Sequence, residues 1–155
     1  MNFQEKYQEY KQRREAKKFF NHNNNEKLNN NDYLIAVLVG VGVSFILGFI
    51  MTWVIYKINF NMSYFAIAVG VVEAMAIKKV LNKSGNTLAI IAIVTYVLGM
   101  LLAQAFYFSM LFPVINIQVF IGLLQSCFKD LFVGDFFDTI IFLFGAIAAY
   151  MTLKD

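Results

Sequence analysis

In the stretch GVVEAMAIKKV, residues 70–80, one carboxylate, Glu73, lies inside an apolar segment just ahead of Lys78 and Lys79. An ionisable side chain inside a membrane span is costly and commonly serves an ion or proton path. It can equally be held as a hydrogen-bonded tether between helices. Depth and neighbours decide between these roles. Lys78 follows five residues on, about 7.5 Å along a helix, which places Glu73 in the inner half of a span. That spacing is poor for an ion pair within one helix. Counting the same depth along the other apolar segments nominates three hydroxyls as partners: Tyr150, Tyr33 and Thr87. Gln104, the other polar side chain within a span, counts to about 20 Å away in depth and is expected not to meet Glu73.

Other residue types add little chemistry. The sole histidine, His22, sits in an Asn-rich stretch, NHNNNEKLNNND, and reads as linker. The single cysteine, Cys127, excludes an internal disulfide and a Cys-based zinc site within one chain. No H-E-x-x-H, G-x-S-x-G or P-loop pattern occurs. Asp130, Asp135 and Asp138 cluster ahead of the last apolar segment, where Asp135 and Asp138 read as helix-start residues rather than a cation site. The expectation is a protein that is not an enzyme, with no cofactor and no metal.

The elements that must position Glu73 follow from hydropathy. The chain has 155 residues, 59% hydrophobic and 15% charged, well below the roughly 25% charged of a soluble domain. It therefore reads as an integral membrane protein. Residues 1–32 form a polar tail and linker, and residues 33–155 a membrane domain. A span needs about 20 apolar residues, and four segments approach that length: 33–56, 58–77, 88–112 and 136–153. Asp32 is a plausible N-cap for the first. In the tail, Phe3, Tyr7, Tyr10 and Arg14 recur at helical spacing. Glu5, Glu9 and Glu15 offset its basic residues, which argues against nucleic-acid binding.

Excess Lys and Arg marks cytoplasmic segments. With the N-terminus inside, only Lys57 and Lys129 fall outside, so both termini are expected in the cytoplasm of a plasma membrane. The connection after the third span, residues 114–132, is too apolar for a free loop. On a helix it sets Gln118, Gly122, Gln125 and Lys129 against Ile117, Phe120, Ile121, Leu124, Phe128 and Leu131. That is the pattern of a helix in the interface plane, with Pro113 suited to its start.

Lipid supplies no hydrophobic drive between helices, so close packing relies on small residues. Span one offers Gly40, Ser44 and Gly48, and span two Ala66, Gly70 and Ala74, each spaced by four. Span three adds Gly99 and Ala103, and span four Gly145 and Ala149. These ridges predict a four-helix bundle, all-α, or association between chains.

The stretches YFAIAVGVVEAMAIKKVLNKSGNTLAIIAIVTYVLGMLLA and FFDTIIFLFGAIAAYMTL resemble small uncharacterised bacterial four-span membrane proteins. The likeness covers residues 64–153 and implies four spans with a short Gly-containing turn between the second and third. Some members of that group carry a cysteine-rich zinc-binding segment before the spans; this tail has no cysteine, so no metal function carries over. Members often have a small residue where this chain has Glu73. The expected function is an accessory or scaffold subunit of a membrane assembly. Its expected partners are the lipid bilayer and either a second protein or further copies of itself. The alternative is a small oligomeric channel, or an ion- or proton-coupled carrier, using Glu73.

Overall fold

The spacing of small residues decides which face of each helix turns inward. The computed structural model describes residues 7–15, 28–58, 64–111 and 116–154, with no strand among them. Helix α1 covers residues 7–15. It is followed by α2 (Asn30–Ile58), α3 (Phe65–Leu81), α4 (Asn86–Met110), α5 (Ile117–Lys129) and α6 (Phe136–Lys154). A π-helical segment, Asp130–Gly134, continues α5.

The buried residues of α2 are Ala36, Gly40, Ser44, Gly48 and Thr52, one on each successive turn. Its Leu34, Leu38, Ile46, Ile50 and Trp53 face outward. Helix α4 follows this in part: it buries Ala89, Ala92, Gly99 and Ala103 together with Leu88, Tyr96, Met100 and Leu101, and exposes Ile90, Val94 and Leu98. A water-soluble bundle would bury the large side chains instead. Small residues inside and large apolar ones outside is the pattern of helices packed in lipid, where backbones approach closely.

Four helices are long and apolar enough to cross a membrane: α2, α4, α6 and the stretch Ile117–Gly134. Helix ends differ from the expected segments by a few residues, as at α4, which covers Asn86–Met110 rather than 88–112. Helix α2 extends to Ile58 rather than ending at 56. Helix α3 runs on to Leu81 rather than stopping near 77, because Lys78 and Lys79 continue the helix and do not end it. At 17 residues, α3 stands at the short limit of a span, about 17. Residues 59–63 of the expected second span lie outside the described residues, as do Phe3, His22 and Pro113.

Helices α2, α3, α4 and α6 pack on one another, and α5 packs on α4. One end of this bundle is tied by polar contacts. Lys83 Nζ meets Asp32 Oδ2 at 3.0 Å, joining the head of α2 to the α3–α4 turn. Gly85 N donates to Leu153 O at 3.0 Å, joining that turn to the end of α6. Gly85 has φ 152°, a region that only glycine enters readily. Asp32 is not the N-cap of α2. The helix starts two residues earlier, at Asn30, and the Asp32 carboxylate accepts from Asn29 N at 2.9 Å, closing the first turn backwards. Asp135 does cap α6, accepting from Phe137 N at 3.1 Å.

Helix α5 lies along the C-terminal half of α4. Cys127, Leu101 and Ala105 form a small core there, flanked by Phe120, Leu124 and Leu131. Ile117, Ile121 and Phe128, from the same expected apolar face, project outward. The polar row Gln118, Gly122, Gln125 and Lys129 is exposed throughout.

The closest backbone approach joins α3 to α6. A Cβ added at Gly70 would overlap the carbonyl oxygen of Gly145 and lie 2.9 Å from its carbon. One added at Gly145 would lie 2.7 Å from Ala66 O. Nothing lies within 4 Å of a Cβ at Gly42. Gly70→Ala is therefore expected to destabilise the detergent-solubilised protein by about 1–3 kcal/mol, as overpacking does. Gly42→Ala should be neutral or stabilising by up to about 1 kcal/mol, through helix propensity. Thermal unfolding of the two variants checks this; equal effects would contradict the assignment of the contact.

Candidate functional site

Glu73 lies on the inward stripe of α3 with Ala66, Gly70 and Ala74, and its side chain is fully buried. The stripe that brings α3 against its neighbours also carries the carboxyl inside. From α4, the Thr95 hydroxyl meets Glu73 Oε1 at 2.5 Å, within the short range of hydroxyl–carboxylate bonds. The same Thr95 oxygen lies 2.9 Å from Ile91 O and 3.2 Å from Ala92 O. A hydroxyl has one hydrogen to donate, so these contacts compete for it.

From α2, Gly40 supplies bare backbone. A Cβ there would lie 2.9 Å from Glu73 Oε1 and would overlap Thr95 Oγ1. One turn on, the Ser44 side chain stands beside the carboxyl. Ser44 can enter because Gly99 of α4 has no side chain; a Cβ at Gly99 would overlap Ser44 Cβ. Ser44 Oγ and Glu73 Oε2 are both buried without a hydrogen-bond partner. Below this group in the chain, Tyr96 is fully buried. Its hydroxyl donates to Ala66 O at 3.0 Å, and its ring stacks on Phe142 at a centroid distance of 4.9 Å. The result is a small polar cluster drawn from α2, α3 and α4, sealed in apolar packing. Chemically it can hold a hydrogen-bonded carboxyl, or a charge-neutralising occupant.

The three nominated partners are not brought to Glu73. Tyr150 OH meets Asn86 Oδ1 at 3.0 Å. Thr87 is exposed on the first turn of α4, eight residues before Thr95. Tyr33 lies seven residues before Gly40, about 10 Å along α2. Depth counted from Lys78 misses these contacts, because α3 does not end there. Lys78 stretches its amine back along the bundle end to within 3.5 Å of Thr152 O, as long cationic side chains do. Helix α3 goes on to Leu81, which sets Glu73 about 12 Å from its end, level with Thr95. The sequence did carry the missing signal. Thr95 sits four residues before Gly99 and eight before Ala103, on the inward stripe of α4.

The small residues chosen for packing are all buried: Gly40, Ser44, Gly48, Ala66, Gly70, Ala74, Gly99, Ala103, Gly145 and Ala149. They meet within the one chain. Ser44 thus has two parts, as a spacer and as a polar neighbour of Glu73.

Gln104 is elsewhere, nine residues beyond Thr95, or about 13 Å along α4. It lines a cavity of about 240 Å³ together with Thr52, Tyr56, Asp130 and Asp138. Among the described residues no three His, Cys, Asp or Glu side chains gather as a metal site. No family model matches the chain, and neither a curated protein nor a solved structure matches it.

Thr95→Val keeps the shape of the side chain and removes the hydroxyl that reaches Glu73. It is expected to destabilise the protein by about 1–3 kcal/mol, since a buried carboxyl then loses its partner. Thr95→Ser should retain most of the stability. Thermal unfolding in detergent checks both, and equal behaviour of Val and Ser would contradict the role of the hydroxyl.

Proposed function

We propose that this chain is a multi-pass bacterial plasma-membrane protein with both termini in the cytoplasm, and that it acts as a non-enzymatic accessory or scaffold subunit. In this reading α2, α3, α4 and α6 cross the bilayer and α5 lies at the outer interface. The observation that carries the reading is the unequal use of surfaces. The small-residue ridges are consumed inside the chain, while α5 leaves Ile117, Ile121 and Phe128 exposed beside Gln118, Gln125 and Lys129. A helix crossing lipid would leave that polar row in hydrocarbon, whereas an interfacial helix keeps it wet. It also presents an amphipathic face to a partner in the same membrane. Helix α3 is short for a span, but it packs as a full member of the bundle and ends in Lys78 and Lys79. The basic residues at that end, with Lys83 and Lys154, support a cytoplasmic placement.

Extraction in mild detergent should recover a second protein, or a second copy, in fixed ratio. The double variant Ile121→Ser, Phe128→Ser should lose that companion while keeping its thermal unfolding midpoint. A monomer without companion in native membranes would contradict the reading.

A second reading, a channel or a proton- or ion-coupled carrier, is favoured by one observation, the buried unpartnered oxygen of Glu73. In proteoliposomes it requires cation or proton flux that Glu73→Gln abolishes with expression intact. Absence of flux from the unaltered protein rejects it.

A further inference from the structure

Two oxygens at the centre of the bundle have no partner among the described residues: Glu73 Oε2 and Ser44 Oγ. Both side chains are fully buried and stand beside each other. Buried polar atoms left unpaired in a native interior call for a specific cause.

The surrounding groups narrow that cause. Helix α2 brings Gly40 and Ser44 to the carboxyl, neither of them titratable. Helix α4 brings Thr95 and Tyr96, and the Tyr96 hydroxyl already donates to Ala66 O. On α6, the Tyr150 hydroxyl meets Asn86 and Asp138 lines the cavity beside Gln104. On α3 itself, the Lys78 amine reaches Thr152 O. Among the described residues Glu73 has no ion pair. An ionised carboxylate here would be an unpaired charge in apolar packing, which interiors avoid. Room is also short. On the Oε1 side a methyl added at Gly40 would overlap Thr95 Oγ1 and lie 2.9 Å from Oε1. A metal cation would have to part these groups to gather several oxygens, whereas a proton needs no added volume.

We propose that Glu73 is a binding site for one proton, carried on Oε2 and donated in a hydrogen bond to Ser44 Oγ. Thr95 then donates to Oε1, and each oxygen of the cluster gains a partner. The proton comes from water and returns to water on release, and no other group changes its charge. Ser44 is a positioning residue that holds the proton in place. The site goes beyond the scaffold reading and does not depend on it, since a bound proton needs no flux.

The test is infrared spectroscopy of the full-length protein in detergent at neutral pH, with and without carbon-13 label in its glutamates. The proposal expects a carbonyl stretch of a protonated carboxyl that shifts down with the label and is lost in Glu73→Gln. In Ser44→Ala the band should persist and move to higher frequency, as its hydrogen bond is removed. If Glu73→Gln does not fold, Ser44→Ala decides, because only the labelled band of a carboxyl that donates to Ser44 moves when that hydroxyl is removed. Absence of the labelled band at neutral pH overturns the proposal. So does a carboxylate band that moves when sodium replaces choline, which would assign a metal cation instead. A band that Ser44→Ala leaves unmoved overturns the shared proton.

Discussion

A carboxyl group enclosed by apolar helices has to find its partners within the bundle, and here the hydroxyl of Thr95 meets one of its two oxygens across 2.5 Å. That contact fixes more than one side chain. It sets the rotation of α3 about its axis, since Glu73 must face α4, and it sets the relative height of the two helices. It also requires α2 to pass with no side chain at Gly40, whose added Cβ would overlap Thr95 Oγ1. In hydrocarbon the alternative to this pairing is a buried group without a partner, so misregistered packings of α2, α3 and α4 are disfavoured together. Interhelical hydrogen bonds in membranes average about 0.6 kcal/mol. The value of this one lies as much in excluding wrong registers as in its own strength.

The glycine contacts supply the attraction that the polar cluster orients. Gly70 and Gly145 bring the backbones of α3 and α6 together, and Gly99 admits Ser44. Because lipid offers no hydrophobic gain for helix association, dispersion at such close approaches has to hold the helices. On α2 the large apolar side chains are left facing outward, while Leu88, Tyr96, Met100 and Phe142 fill the interior. The polar ties at one end, Asp32 with Lys83 and Gly85 with Leu153, then keep the helix ends in step.

Much of this was legible in the residues. Spacing by four of Gly, Ala and Ser identified the inward face of each helix, because small residues have one physical use in lipid and repeat with the helical period. Glu73 stood out because a lone charge in an apolar run has no neutral explanation. Its partner was not found by depth, because lysine side chains bend and helix ends cannot be read to better than a turn. Thr95 is one hydroxyl among apolar neighbours, and only its register with Gly99 marks it. The docking of α5 was only half legible. Its amphipathic pattern was clear, but a pattern does not say that Cys127 would seat on Leu101 and Ala105 while Ile121 and Phe128 faced outward.

The most direct test of the Glu73–Thr95 contact as the organising interaction is a double-mutant cycle. Glu73→Gln, Thr95→Val and the double variant would be compared with the unaltered protein by equilibrium unfolding in detergent micelles. A coupling of at least about 1 kcal/mol, toward the upper part of the range for interhelical hydrogen bonds in membranes, is the result the structure predicts. Additive effects, with no coupling between the two positions, would contradict it.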